Sequence, residues 1–160
     1  MNKLSTKVLI IFSAAIIAVS FASCSLPEEK EDLSTDTWSS EFTDKQEKIE
    51  FFEKYVVCPS AVLDTEFHIV YNDNSTGLVP GPSDWSISAA VKIDPAESSK
   101  WTENMDLINE DQIDMFWWVD LPLEDWDLSG DPVYYKRPEA WSYIILYEEQ
   151  GIVIKYFFTT

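Results

Sequence analysis

The chain carries one histidine, His68, and 29 carboxylates, and side-chain proton transfer would have to be built from these. His68 stands two residues from Glu66 in a stretch that alternates like a β-strand, which would place both on one face and within reach of each other. A histidine on the polar face of a strand is ordinarily a surface residue, and nothing here completes a triad around it. A single histidine excludes the paired-histidine zinc spacing, and four glycines supply no phosphate-cradling loop. Nothing has the form of a nucleophile elbow. Among so many carboxylates some pair will always suit glycoside hydrolysis. No catalytic residue is therefore assigned. The sequence leans away from an enzyme, with a carboxylate-based hydrolase as the third reading.

Two segments have the composition of calcium loops. Asn72, Asn74 and Thr76 precede Gly77, a degraded form of the calcium-loop pattern without its closing glutamate. Glu124, Asp125, Asp127 and Asp131 form the second cluster. A solvated acidic loop explains both, so no metal ligand and no cofactor is assigned; calcium is the one ion these loops would suit.

The first residues carry an address. Lys3 and Lys7 precede an apolar run from Val8 to Ala22, which has the form of a secretory signal. As a helix that run would reach about 22 Å, short of the ~30 Å hydrocarbon core. The next feature is Phe21-Ala22-Ser23-Cys24, which resembles the lipobox of bacterial lipoproteins, with Phe21 where that family usually has leucine. The resemblance implies cleavage before Cys24, acyl chains on its sulfur and usually its amine, and export to a bacterial cell membrane or outer membrane. More than one chain gives stable anchoring, whereas one alone is marginal. Ser25 after Cys24 carries no inner-membrane retention signal.

Removal of 23 residues from 160 leaves 137, enough for one domain with a real core. Loss of Lys3 and Lys7 moves the formal charge from −18 to −20. Such a surface repels nucleic acid and anionic lipid and attracts basic partners. An aromatic content of 14% argues against disorder. With Cys24 lipidated, Cys58 has no disulfide partner; beside Pro59 at a helix end it reads as a half-buried structural thiol. The expected organisation is a signal peptide over 1–23, a lipidated, acidic tether over 24–42, and one globular domain over 43–160.

Within that domain the pattern predicts a helix over 43–57, opened by a Thr43/Gln46 capping box. Strands follow over 63–71 and 85–93, the second alternating cleanly through Trp85, Ile87, Ala89 and Val91. Asp94-Pro95-Ala96-Glu97 reads as a helix start, with Trp101, Met105 and Ile108 at helical spacing. Asn109 and Gln112 restart a second helix with Ile113, Phe116 and Trp117 inward. Strands over 133–136, 142–148 and 152–158 close the chain, the last two joined through Gly151. The expected fold class is α+β: an antiparallel sheet of about five strands with helices packed on one face.

Two loops are least explained by folding. The segment 72–85 is stiffened by Pro80 and Pro82 and carries Leu78 and Val79 outside any strand pattern. The acidic segment 120–131 holds Trp126 between Asp125 and Asp127. These five side chains are the candidate partner-binding residues, and Cys24 is the lipidation site. The expected function is a membrane-anchored envelope binding protein, an immunity protein or inhibitor that takes a basic protein partner. The alternative is a carbohydrate- or calcium-binding lipoprotein module.

Overall fold

In the computed structural model, which describes residues 33–75, 81–113 and 120–159, the alternating segments form seven strands. They are β1 (Thr35–Trp38), β2 (Asp64–Asn72), β3 (Asp84–Lys92), β4 (Asp106–Ile108), β5 (Val133–Lys136), β6 (Ser142–Tyr147) and β7 (Ile152–Phe158). All pair antiparallel in one sheet of order β1-β2-β3-β7-β6-β5-β4. The helices among the described residues are α1 (Lys45–Tyr55) and the single turn α2 (Ser98–Trp101). The described residues belong to one compact unit, Asp32–Thr160.

The expected α+β arrangement, with about five strands and helices packed on a face, is thus corrected. The protein is mostly β, a seven-stranded antiparallel sheet with only two short helices. β1 is polar, Thr-Asp-Thr-Trp, and reads as tether, yet as an edge strand it needs only backbone pairing along β2. β4 has three residues, too few for a pattern. The helical spacing after Pro95 is broken where Met105 N–H bonds back to Thr102 and Asn104 takes φ +60°. Asn109 and Gln112 do form their capping pair, but it closes a 3-10 turn over Glu110–Gln112 instead of starting a helix. Phe116 and Trp117, expected on that helix, lie outside the described residues.

α1 begins one residue later than the Thr43 box suggests: the Asp44 carboxylate accepts from Glu47 N–H at 2.9 Å. It ends where Val56 turns extended ahead of Pro59. Its inner side lays Phe52 and Val56 on the first face of the sheet. There the Phe67 ring is surrounded by Phe42, Phe51 and Phe52 at 5.7–5.8 Å. Ile69, Ile87, Val91, Ile144 and Val153 complete this core. The second face carries Ala90, Ile145, Ile152, Ile154 and Tyr156. It is covered by Ile113, Leu121, Leu123, Trp126 and Leu128, from the long connection between β4 and β5.

Asp73 fastens the base of the β2–β3 hairpin to the start of β1. Its carboxylate accepts from Ser75 N–H at 2.9 Å, Leu33 N–H at 3.4 Å and the Ser83 hydroxyl at 3.4 Å. Asp73 N–H in turn donates to the Ser34 hydroxyl at 2.8 Å. These bonds, led by those from Ser75, hold the carboxyl below the usual aspartate range.

Phe67 is fully buried, and Phe67→Ala is expected to cost about 3–5 kcal/mol in urea unfolding. Gly151 takes φ +63°, and a Cβ there would stand 2.4 Å from Ile93 O. Gly151→Ala should therefore lose at least about 1 kcal/mol. Asp73 has a depressed folded pKa, so its contribution is present above the unfolded aspartate pKa and lost as pH falls through the folded value. The stability gap between the protein and Asp73→Ala should accordingly close below about pH 4. A gap that stays constant on acidification would contradict the clamp.

Candidate functional site

β7 sends Val153, Lys155 and Phe157 to the first face, so a lysine stands in an otherwise apolar row. Its register neighbours are Ala89 on β3 and Ile144 on β6. A cavity of about 570 Å³ opens there. The sheet forms its floor through Ile87, Lys155 and Phe157; the end of α1 and Trp101 of α2 form its walls. Lys100 and Arg137 stand on its rim. Trp101 is held in place by its indole N–H, which donates to the Ser60 hydroxyl at 2.8 Å. The Lys155 ammonium lies 5.9 Å from the centre of that indole.

The electrostatics of the cavity run against those of the chain. Lys100 is paired with Glu97, but Arg137 and Lys155 meet no carboxylate partner among the described residues. Burial pushes the Lys155 ammonium below the usual lysine range; Cys58 opposes this, and the nearby Arg137 adds to it more weakly. Cys58 sits beside the cavity, its thiol directed to Val56 O at 3.4 Å. Burial first, and then the Glu53 carboxylate, push that thiol up to about 11. It is neutral at physiological pH and a poor nucleophile.

A second feature is the end of the sheet where β2 starts and β3 finishes. Asp94 follows Ile93, whose N–H bonds to Gly151 O; Glu148 and Glu149 form the adjoining β6–β7 turn. Asp127 lies close enough to Lys92 to feel its charge, and Asp131 leads into β5. All these carboxylates, with Asp125, are exposed, and none forms an ion pair among the described residues. Hydrogen bonds from Ser129 hold the Asp127 carboxyl below its usual range.

Of the residues singled out from sequence, Cys24, Leu78 and Val79 lie outside the described residues. Asp125 and Asp127 are exposed at the acidic end. Trp126 between them is half-buried against the second core. The hairpin that contains Leu78 and Val79 opens at the Asn72/Asp84 end, eight residue steps or about 26 Å along β2 from the Asp64/Lys92 end. Asn74 and Asp73 spend their side chains there, the Asn74 amide donating to Pro82 O and to Asp84 at 2.9 Å each. His68 and Glu66 do not pair. Glu66 accepts from Lys48 and Ser39, both at 2.5 Å, whereas His68 stacks on Trp38 at 3.7 Å and meets Asp36 at 2.7 Å. No group of His, Cys, Asp and Glu among the described residues is arranged to hold a metal.

No family model, curated protein or solved structure matches the chain.

Sequence reasoning missed Lys155, Arg137 and Trp101. The available signal was the lysine inside Ile152-Val-Ile-Lys-Tyr-Phe-Phe158, a charge on a strand with apolar residues on both faces. Cys58 gives a direct check on the cavity's edge. In the folded chain its alkylation by iodoacetamide at pH 7.5 should be far slower than in urea, and should rise about tenfold per pH unit towards pH 11. Equal rates in folded and unfolded protein would show that the thiol is not shielded.

Proposed function

We propose that the protein is a non-enzymatic binding protein, held in the cell envelope by lipid at Cys24, that docks a basic protein at its acidic end in the manner of an immunity protein or inhibitor. The observation that carries this reading is the set of exposed carboxylates Asp94, Asp127, Asp131, Glu148 and Glu149, with Asp125 near them in the chain, none of which forms an ion pair among the described residues. Like charges gathered without partners are unfavourable for the fold and favourable for capturing an opposite charge. The chain enters the sheet at Thr35, opposite Tyr71, at the other end of β2. A tether attached there leaves the acidic end free to meet a partner.

A second reading, a carbohydrate-binding module, is favoured by one observation. Trp141 is 53% exposed, with the Phe158 ring 5.1 Å away, and together they offer an aromatic platform of the kind on which sugars stack. A melting shift with cell-wall saccharides and no basic partner would select it.

The full chain is used to capture a partner from the native envelope, and association is measured against salt. Replacing Asp125, Asp127, Glu148 and Glu149 by their amides should slow association about tenfold and flatten its salt dependence, with little change in dissociation. An unchanged rate and salt slope would remove the acidic end from consideration. Cys24→Ala should leave the protein unprocessed or free of the membrane, and a wild-type chain that takes up no labelled fatty acid would overturn the anchor.

A further inference from the structure

We propose that the cavity over β7 binds a small organic acid, its carboxylate held by Lys155 and Arg137 and its apolar body packed between Trp101 and Phe157. This goes beyond the docking of a basic protein and rests on different residues.

The cavity's size falls in the range of small-molecule sites, roughly 300–1,000 Å³. Its lining is mainly aromatic and aliphatic, and Arg137 and Lys155 are near enough for one to feel the charge of the other, a composition that suits a compact amphipathic ligand. The cations are out of keeping with the chain around them. The whole sequence has 11 lysines and arginines against 29 acids, yet three of those cations line one cavity with a single acid, Glu103. Two of the three lack a carboxylate partner among the described residues.

A merely structural role for Lys155 is a poor account of it. The position lies between Ala89 and Ile144 and would be filled by leucine or methionine without desolvating a charge. A lysine that stands there without a carboxylate counter-ion among the described residues is poised for an anion that arrives from outside. The chain's excess of negative charge does not forbid this, because exposed charges are screened over about 8 Å at physiological ionic strength. At contact distance Lys155 on the cavity floor and Arg137 at its rim dominate. Arginine contributes a planar fork that matches a carboxylate, and lysine a point charge at the floor. Lys155 must be protonated to hold the anion, so affinity declines as pH rises through its lowered pKa, while Arg137 stays charged throughout.

The test is calorimetric titration of the full chain with 3-phenylpropionate and with its neutral amide, 3-phenylpropanamide. The acid should bind one to one, and the amide at least about tenfold more weakly. Lys155→Met and Arg137→Gln should each weaken the acid by about tenfold or more and leave the amide unaffected. Affinity for the acid should fall with rising pH in the wild type and much less in Lys155→Met. Arg137 is exposed, so its variant and the wild-type comparison of acid with amide decide the matter even if Lys155→Met folds poorly. Equal affinity for acid and amide, undiminished affinity in the Arg137 variant, or no binding of the acid at millimolar concentration overturns the proposal.

Discussion

The fold depends on the pairing of β3 with β7. These strands are adjacent in the middle of the sheet but their seven paired positions, from Ser86↔Phe158 to Lys92↔Ile152, are 72 to 60 residues apart in sequence. The pairing joins a half made of β1, β2 and β3 to a half made of β4 to β7; without it neither half has a closed core. Both strands are buried on both faces, with Ala89, Ala90, Val153 and Ile154 at 0% exposure. An antiparallel sheet usually leaves one face to water. Here α1 and α2 cover the first face, and a connection with little regular structure covers the second. The register is consequently well specified: a slip by one residue would exchange Ala89 and Val91 with Ser88 and Lys92 and put a cation into the core.

Lys155 stands out against that constraint. It is the one charged side chain on the apolar rows of β7, and it sits where the sheet, α1 and α2 fail to close completely. A charge removed from water is costly unless it is paired. The other inward charge shows the usual solution: Lys48 on α1 reaches the strand edge that β1 leaves uncovered and bonds Glu66 at 2.5 Å and Asp64 at 3.4 Å. Lys155 meets no carboxylate among the described residues, and its ammonium faces the Trp101 ring at 5.9 Å instead. Charge is also sorted, with exposed acids at one end of the sheet and Lys155 and Arg137 at the cavity over the first face. The two regions are suited to opposite kinds of ligand.

Legibility in the sequence followed how locally each element is determined. β3 was readable because Trp85, Ile87, Ala89 and Val91 alternate over nine residues, and β7 because its run begins directly after a glycine turn. α1 was readable from its apolar spacing and Pro59, with only its cap displaced by one residue to Asp44. β1 was hidden because an edge strand needs pairing and no apolar face; its four residues carry the composition of a linker. The stretch from Trp101 to Ile113 misled for another reason. Its apolar residues have helical spacing, yet they serve two faces: Trp101 and Met105 pack on the first core, Ile108 and Ile113 on the second. A chain crossing a sheet edge can show a period of three or four without being a helix. The cavity was illegible because its parts come from α1, α2, β7 and the β5–β6 turn and meet only in three dimensions. Trp126 looked unexplained by folding because the core it packs on, around Ile145 and Ile154, is supplied by strands that follow it in the chain.

The two edges of the sheet are protected in different ways. β1 is the outermost strand on one side, and an exposed edge offers unpaired backbone groups to any passing strand. Its four residues are held by more than their ladder. Trp38 stacks on His68, Asp36 meets the same imidazole from the neighbouring position, and Asp73 grips the backbone at Leu33. Ser39 then ties the following turn to Glu66. Fastening at successive points along β1 means that a pull on the preceding chain must break these bonds together with the strand's ladder. The opposite edge is guarded differently: β4 is only three residues long and presents Asp106 to solvent. Shortness and charge protect that edge, whereas side-chain fastening protects the one where the chain enters the sheet.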